Sequence, residues 1–141
     1  MTFSTSIHKI LTLAFALVFT AATGLALAQP PQIQKTNGIT FVSGGVGDES
    51  MEQITNLEKQ FDLKLFLVGQ SGSYLSDISV TIIDSQEKGV LLTTSEGPVL
   101  LVNLPSGTYT VKASKNGHFL EQQLTVTSGQ LRTVYLRFPN E

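Results

Sequence analysis

Residues 96–118 read EGPVLLVNLPSGTYTVKASKNGH, and the fold turns on how this stretch divides. Pro98 has no N–H for a ladder, so it belongs to a turn or to the first position of a strand. Val99 to Leu104 then run almost wholly apolar and read as a strand. Pro105 and Gly107 enforce a tight turn, with Gly107 expected to hold a backbone angle that a side chain would strain. Beyond it Tyr109, Val111 and Ala113 alternate with Thr108, Thr110 and Lys112. That is the period of a strand with one buried face. Leu104 and Tyr109 are expected to enter one core. Asn116-Gly117 then closes the stretch as a two-residue hairpin signal.

The same period extends in both directions. In DLKLFLV, from Asp62, Leu63, Leu65 and Leu67 face one way and Lys64, Phe66 and Val68 the other. Ile78, Val80 and Ile82 alternate with Ser79, Thr81 and Ile83. SQEKG at 85–89 has hairpin composition: Asp84 is placed to cap the turn with its side chain, and Gly89 is available for positive φ. Val90 to Thr94 form the next strand. After the Asn-Gly turn, Leu120, Gln122, Leu124 and Val126 share a parity. The last strand carries Val134, Leu136 and Phe138 on one face and Thr133, Tyr135 and Arg137 on the other. Strands separated by turns every 8–12 residues or so, without crossover helices, predict an antiparallel β-sandwich over about 62–138 and not a parallel α/β sheet.

The N-terminal part is of a different kind. His8 and Lys9 end a short polar region, the apolar run ILTLAFALVFTAA follows from Ile10, and Ala26-Leu27-Ala28 has the small residues of a cleavage site. Residues 1–28 are therefore expected to be a signal peptide cut before Gln29, giving a periplasmic or secreted protein that is not membrane-bound. Loss of 28 of the 141 residues leaves 113, enough for one domain. The formal charge of −2 becomes −3 with the loss of Lys9. Weak, dispersed acidity offers nothing to nucleic acid. The chain has no cysteine, so neither a lipid anchor nor a disulfide scaffold is available. QPPQIQKTNG at 29–38 reads as a flexible leader. The domain at 39–141 opens with a short strand near Gly38–Val42. A helix over about 50–60 follows, with Met51, Ile54, Leu57 and Phe61 on one face and Ser50 and Gln53 at capping-box spacing.

Residues 96–118 resemble the signature of the carboxypeptidase regulatory-like domains, which have the transthyretin (prealbumin) type of sandwich. ISVTIID and SQEKGVLLTTSEGP resemble that family's second strand and following hairpin, so the likeness covers about 61–138. It implies an Ig-like, prealbumin-type sandwich that is an accessory or adhesive module and not itself catalytic. The mature chain, with SGGVGDE, the helix and the EGP turn, also resembles small exported proteins of Gram-negative bacteria that carry this domain and have no assigned activity.

Candidate sites are few. Gly44, Gly45, Val46, Gly47, Asp48 and Glu49 join the first strand to the helix. Glycines before a helix can cradle phosphate, but Asp48, Glu49 and Glu52 put negative charge where an anion would sit and suit the helix dipole instead. The loop reads as a bend, or as a partner-binding loop. His118 is the one histidine of the mature chain and has only Glu121 near it among carboxylates, which makes no zinc site. Calcium would need a denser group of acids. Ser71, Ser73 and Ser106 lie in turns with no base in reach by sequence. Lys64 and Asn140 lie where some sandwich adhesins form a cross-link, but Asn140 falls beyond the last strand and no mid-strand acid accompanies them. Lys64 is expected to extend its ammonium to solvent instead. The composition thus points to a non-enzymatic module without cofactor or metal, contacting another protein. A carbohydrate-binding module is the alternative, weakened by the lack of tryptophan and by the separation of Tyr74, Tyr109 and Tyr135 along the chain.

Overall fold

The computed structural model describes residues 30–139 and 141, so the expected signal peptide, its cleavage site and Asn140 lie outside the described residues. The elements run β1 (Gln34–Thr36), β2 (Ile39–Gly44), α1 (Asp48–Leu57), a 3-10 turn (Glu58–Gln60), β3 (Leu63–Gly69), β4 (Ser79–Ile83), β5 (Gly89–Thr94), β6 (Val99–Val102), β7 (Gly107–Lys115), β8 (His118–Val126) and β9 (Arg132–Phe138). They form a five-stranded sheet ordered β1-β2-β6-β3-β9 and a four-stranded sheet ordered β5-β4-β7-β8. Packed face to face, the two sheets make the β-sandwich that the strand periods predict.

The inward faces follow the alternation. Leu63, Leu65 and Leu67 on β3 and Val134, Leu136 and Phe138 on β9 meet Val80 and Ile82 on β4, Tyr109, Val111 and Ala113 on β7, and Leu124 and Val126 on β8. In β8 the parity fails at Gln122, which is exposed. β6 lacks alternation because it is covered twice. Leu100 and Val102 enter the sandwich core, while Val99 and Leu101 join Val42, Ile54 and Phe61 in a second cluster beneath α1. A strand buried on both faces reads as a continuous apolar run. The two buried serines are paired: Ser43 Oγ accepts from the N–H of Glu96 and Ser95 Oγ from that of Ile78.

Several expectations need correction. The sandwich is not wholly antiparallel, because β9 pairs with β3 in parallel register, from Leu63 opposite Arg132 to Gly69 opposite Phe138. The third strand and the last lie side by side in one sheet and run the same way. The leader is not wholly irregular, since Gln34–Thr36 pairs with Ile39–Phe41 across an Asn37-Gly38 turn. The helix starts at Asp48, two residues before the expected cap, with Gly47 as N-cap and no side-chain capping bond. Ser50 Oγ turns back to accept from the Gly45 N–H. In the β4–β5 connection Asp84 does cap the turn, its Oδ1 accepting from the N–H groups of Gln86 and Lys88. The positive φ there falls on Glu87, not on Gly89. Gly107 lies in β7 without positive φ, and a Cβ there would meet nothing closer than the Tyr109 ring at 3.6 Å.

Candidate binding face

The glycine-rich segment is a strand-to-helix bend. Gly44 ends β2, and Gly45 and Gly47 take φ of 97° and 82°, a region costly for other residues. Gly44 is also approached by the EGP turn so closely that a Cβ on Gly97 would lie 2.3 Å from the Gly44 carbonyl oxygen. Val46, Asp48 and Glu49 are exposed, and the two acids occupy the first helical turn, where the dipole favours them. These features account for the glycines and acids of the loop, while Val46 is 61% exposed. Among the described residues no three His, Cys, Asp or Glu side chains converge as a metal site would require. His118 lies half-buried in β8, opposite Lys115.

A groove of about 790 Å³ opens at one end of the sandwich, between the 3-10 turn, the β6–β7 loop and the β8–β9 turn. Its polar groups serve the fold. Asn103 Nδ2 donates to the Gln60 carbonyl, Asp62 Oδ1 accepts from the Gly129 N–H, and Ser106 Oγ accepts from the Ser128 N–H. These bonds tie three loops together.

The outer face of the five-stranded sheet is different. Helix α1 covers it over β2 and β6 and leaves β3 and β9 open. On that open part Phe66 lies at the centre of an aromatic row. Tyr135 of β9, directly opposite in register, stacks on it with ring centroids 5.4 Å apart and planes at 30°. Tyr74 reaches it from the other side, edge-on at 5.3 Å, because the loop after β3 folds back and pairs Tyr74 with Val68. Phe66 is half-buried and packs against the cluster under the helix, whereas Tyr74 and Tyr135 are 64% and 56% exposed. Aromatic pairs at these distances are mutually attractive, so the row is held in shape before anything binds.

Charged groups frame the row. Lys64 does not extend freely to solvent as expected: its ammonium pairs with Glu58 at the end of the helix and lies 5.5 Å from the centre of the Phe66 ring. This is within cation–π range. It therefore sits on the outer face and not in the sandwich core. Both arginines of the chain, Arg132 and Arg137, stand on β9, which carries no acid. Arg137 shares the outer face with Tyr135, whereas Arg132 has the inward parity and its Nη1 donates to the Thr125 carbonyl of the other sheet. Neither forms an ion pair among the described residues. The separation of the tyrosines in sequence concealed this site. Tyr74 and Tyr135 are sixty-one positions apart, and only the parallel β3–β9 pairing and the folded-back loop bring them to one ring. A period-two reading places Phe66 and Tyr135 on outward faces but cannot show that the two strands are neighbours.

Among the described residues no helix is long and apolar enough to cross a membrane. A scan against models of known protein families finds no match for this chain, and a comparison with curated proteins finds none.

Proposed function

We propose that the protein is an exported, non-enzymatic binding module that holds another protein against the outer face of β3 and β9. The observation that carries this reading is the exposed Tyr74–Phe66–Tyr135 row with arginine beside it. Tyrosine and arginine are the residues that dominate protein-binding hot spots, because each combines large contact area with directed hydrogen bonding. The resemblance to carboxypeptidase regulatory-like domains, which act as accessory or adhesive modules, is consistent with it, as is the sandwich itself. A periplasmic location rests on the signal-like residues 1–28, and N-terminal sequencing of the exported protein is expected to begin at Gln29.

A second reading, a carbohydrate-binding module, is favoured by the same exposed rings. Sugars stack on ring faces turned flat to solvent. Phe66 and Tyr135 each use one face on the other, which leaves a ridge in place of a broad platform. This favours the protein partner. Site-specific photo-cross-linking from position 133 in the periplasm tests the choice, with position 92 on the opposite sheet as control. A protein adduct at 133 that disappears in Tyr74→Ala/Tyr135→Ala supports the proposal. A glycan array signal lost in the same double variant, with no protein adduct, would replace it with the second reading.

A further inference from the structure

The free edge of β9 adjoins the aromatic row, and its backbone groups can be traced. At one end of the strand the Arg132 N–H donates to the Asp62 carbonyl, and at the other the Phe138 carbonyl accepts from the Gln70 N–H. In a parallel ladder alternate residues of a strand bond to the same neighbour. Arg132, Val134, Leu136 and Phe138 therefore direct their backbone groups to β3. Those of Thr133, Tyr135 and Arg137 point away from the sheet, and none has a backbone partner among the described residues. These are the same three residues whose side chains form the exposed face.

The other three sheet edges are less suited to a partner. β1 has three residues, and the β4–β5 pairing shifts register between Ile82 and Ile83. β8 is longer, but it carries the exposed Glu121, and near its end Arg132 Nη1 already donates to the Thr125 carbonyl. Short edges, bulges and side-chain cover are the usual means by which sheets prevent unwanted pairing. β9 has seven residues, continuous register and an open edge. On its outer face it carries Arg137 and no acid, in a chain that is acidic as a whole, while Arg132 at its start is bonded to Thr125.

We propose that β9 accepts an extended, acidic segment of the partner protein as a sixth strand. The segment would bond to the backbone of Thr133, Tyr135 and Arg137, with its side chains beside Tyr135 and its carboxylates near Arg137. Strand addition of this type takes affinity from main-chain bonds and selectivity from alternate side chains. The charge on β9 selects acidic segments and repels a basic strand. The inference rests on the binding-face reading above but is narrower than it, since a partner could grip the aromatic row without adding a strand.

Isotope-labelled mature protein, titrated with a short capped peptide of alternating valine and glutamate, provides the test. The amide signals of Thr133, Tyr135 and Arg137 are expected to shift and to become protected from hydrogen exchange, while those of Val134 and Leu136 keep the protection that β3 gives them. Methylating alternate peptide nitrogens of the same sequence removes strand bonds but keeps the side chains, and is expected to weaken binding by at least about tenfold. A valine–lysine peptide should bind more weakly than the acidic one, and Arg137→Glu, on an exposed side chain, should reverse that preference. Equal binding of the methylated peptide would overturn strand addition and leave the aromatic face as the site. Absence of binding by any of the peptides would overturn strand addition as well, whereas only loss of the cross-link at position 133 would remove the binding-face reading itself.

Discussion

Tyr109 is the residue on which the β6–β7 junction depends. Its ring lies in the sandwich core, 6% exposed, and its hydroxyl donates to the Pro105 carbonyl at 2.6 Å. The ring therefore pins the LPSG turn to the strand that follows it. Tyr109→Phe keeps the ring and removes the bond, at an expected cost of about 1 kcal/mol, whereas Tyr109→Ala should cost about 3–5 kcal/mol. Burial, and secondarily the charge of Asp84, raise the phenol above its ordinary range near 10. The unfolded chain then loses this proton at lower pH than the folded one, so stability is constant in this respect below about pH 10 and falls as pH rises above it. Urea titrations from pH 8 upward should show the gap between wild type and Tyr109→Phe narrowing only above pH 10. A gap that widens there would contradict a raised phenol. Glycines give a second test at this scale. Gly97→Ala drives a methyl into the Gly44 backbone and should cost about 1–3 kcal/mol, while Gly107→Ala meets only ordinary contact and should cost less. Equal losses would show that the EGP turn moves aside freely.

Among the elements, those with one covered face show it as alternation, β6 with two covered faces reads as a strand only by its apolar run, and β1 with none was not legible. β3, β4, β7 and β9 show their alternation openly. β6 does not, because α1 covers its second face, and β1 does not, because Gln34, Lys35 and Thr36 are all exposed. Asn37-Gly38 is the same dipeptide as Asn116-Gly117, yet the polar residues before it conceal the strand. The helix was legible as an amphipathic segment, but its start was not. The bend at Gly45 and Gly47 sets the first turn at Asp48 through backbone angles, which no capping pattern records. What holds α1 is Ile54, wholly buried against Val42, Val99 and Leu101. Isolated helices of this length are marginal in water, so the helix depends on that contact. Ile54→Ala should lower stability by about 2–5 kcal/mol. Hydrogen exchange should rise first in the amides of α1 and only later in β3 and β7. Uniform acceleration across both sheets would mean that the helix and the sandwich unfold as one unit.

For the whole molecule the decisive contact is the one that sequence periods could not reveal, the parallel pairing of β3 with β9. It joins the third strand to the last and assembles the aromatic row from them. The fold was legible because most strands carry their own pattern. The face was not, because neighbourhood between strands is a property of topology. The same contact should dominate stability. Val134, Leu136 and Phe138 are buried against β3 and the four-stranded sheet, and truncating any one such large side chain typically costs about 2–5 kcal/mol. A domain without disulfides has a total of roughly 5–15 kcal/mol to lose. Ending the chain before Arg132 removes all three at once and uncovers the backbone edge of β3. At the other end, deleting Gln34–Thr36 removes only exposed side chains and a hairpin edge, a loss of roughly 1 kcal/mol on the scale of surface changes. The chain has no tryptophan, so tyrosine near-ultraviolet circular dichroism is the natural probe of packing. The form lacking β9 should show neither that signal nor a cooperative thermal transition, and the form lacking β1 should keep both. A cooperative transition in the absence of β9 would mean that the antiparallel strands alone form a stable sandwich and that the parallel pair serves only the binding face.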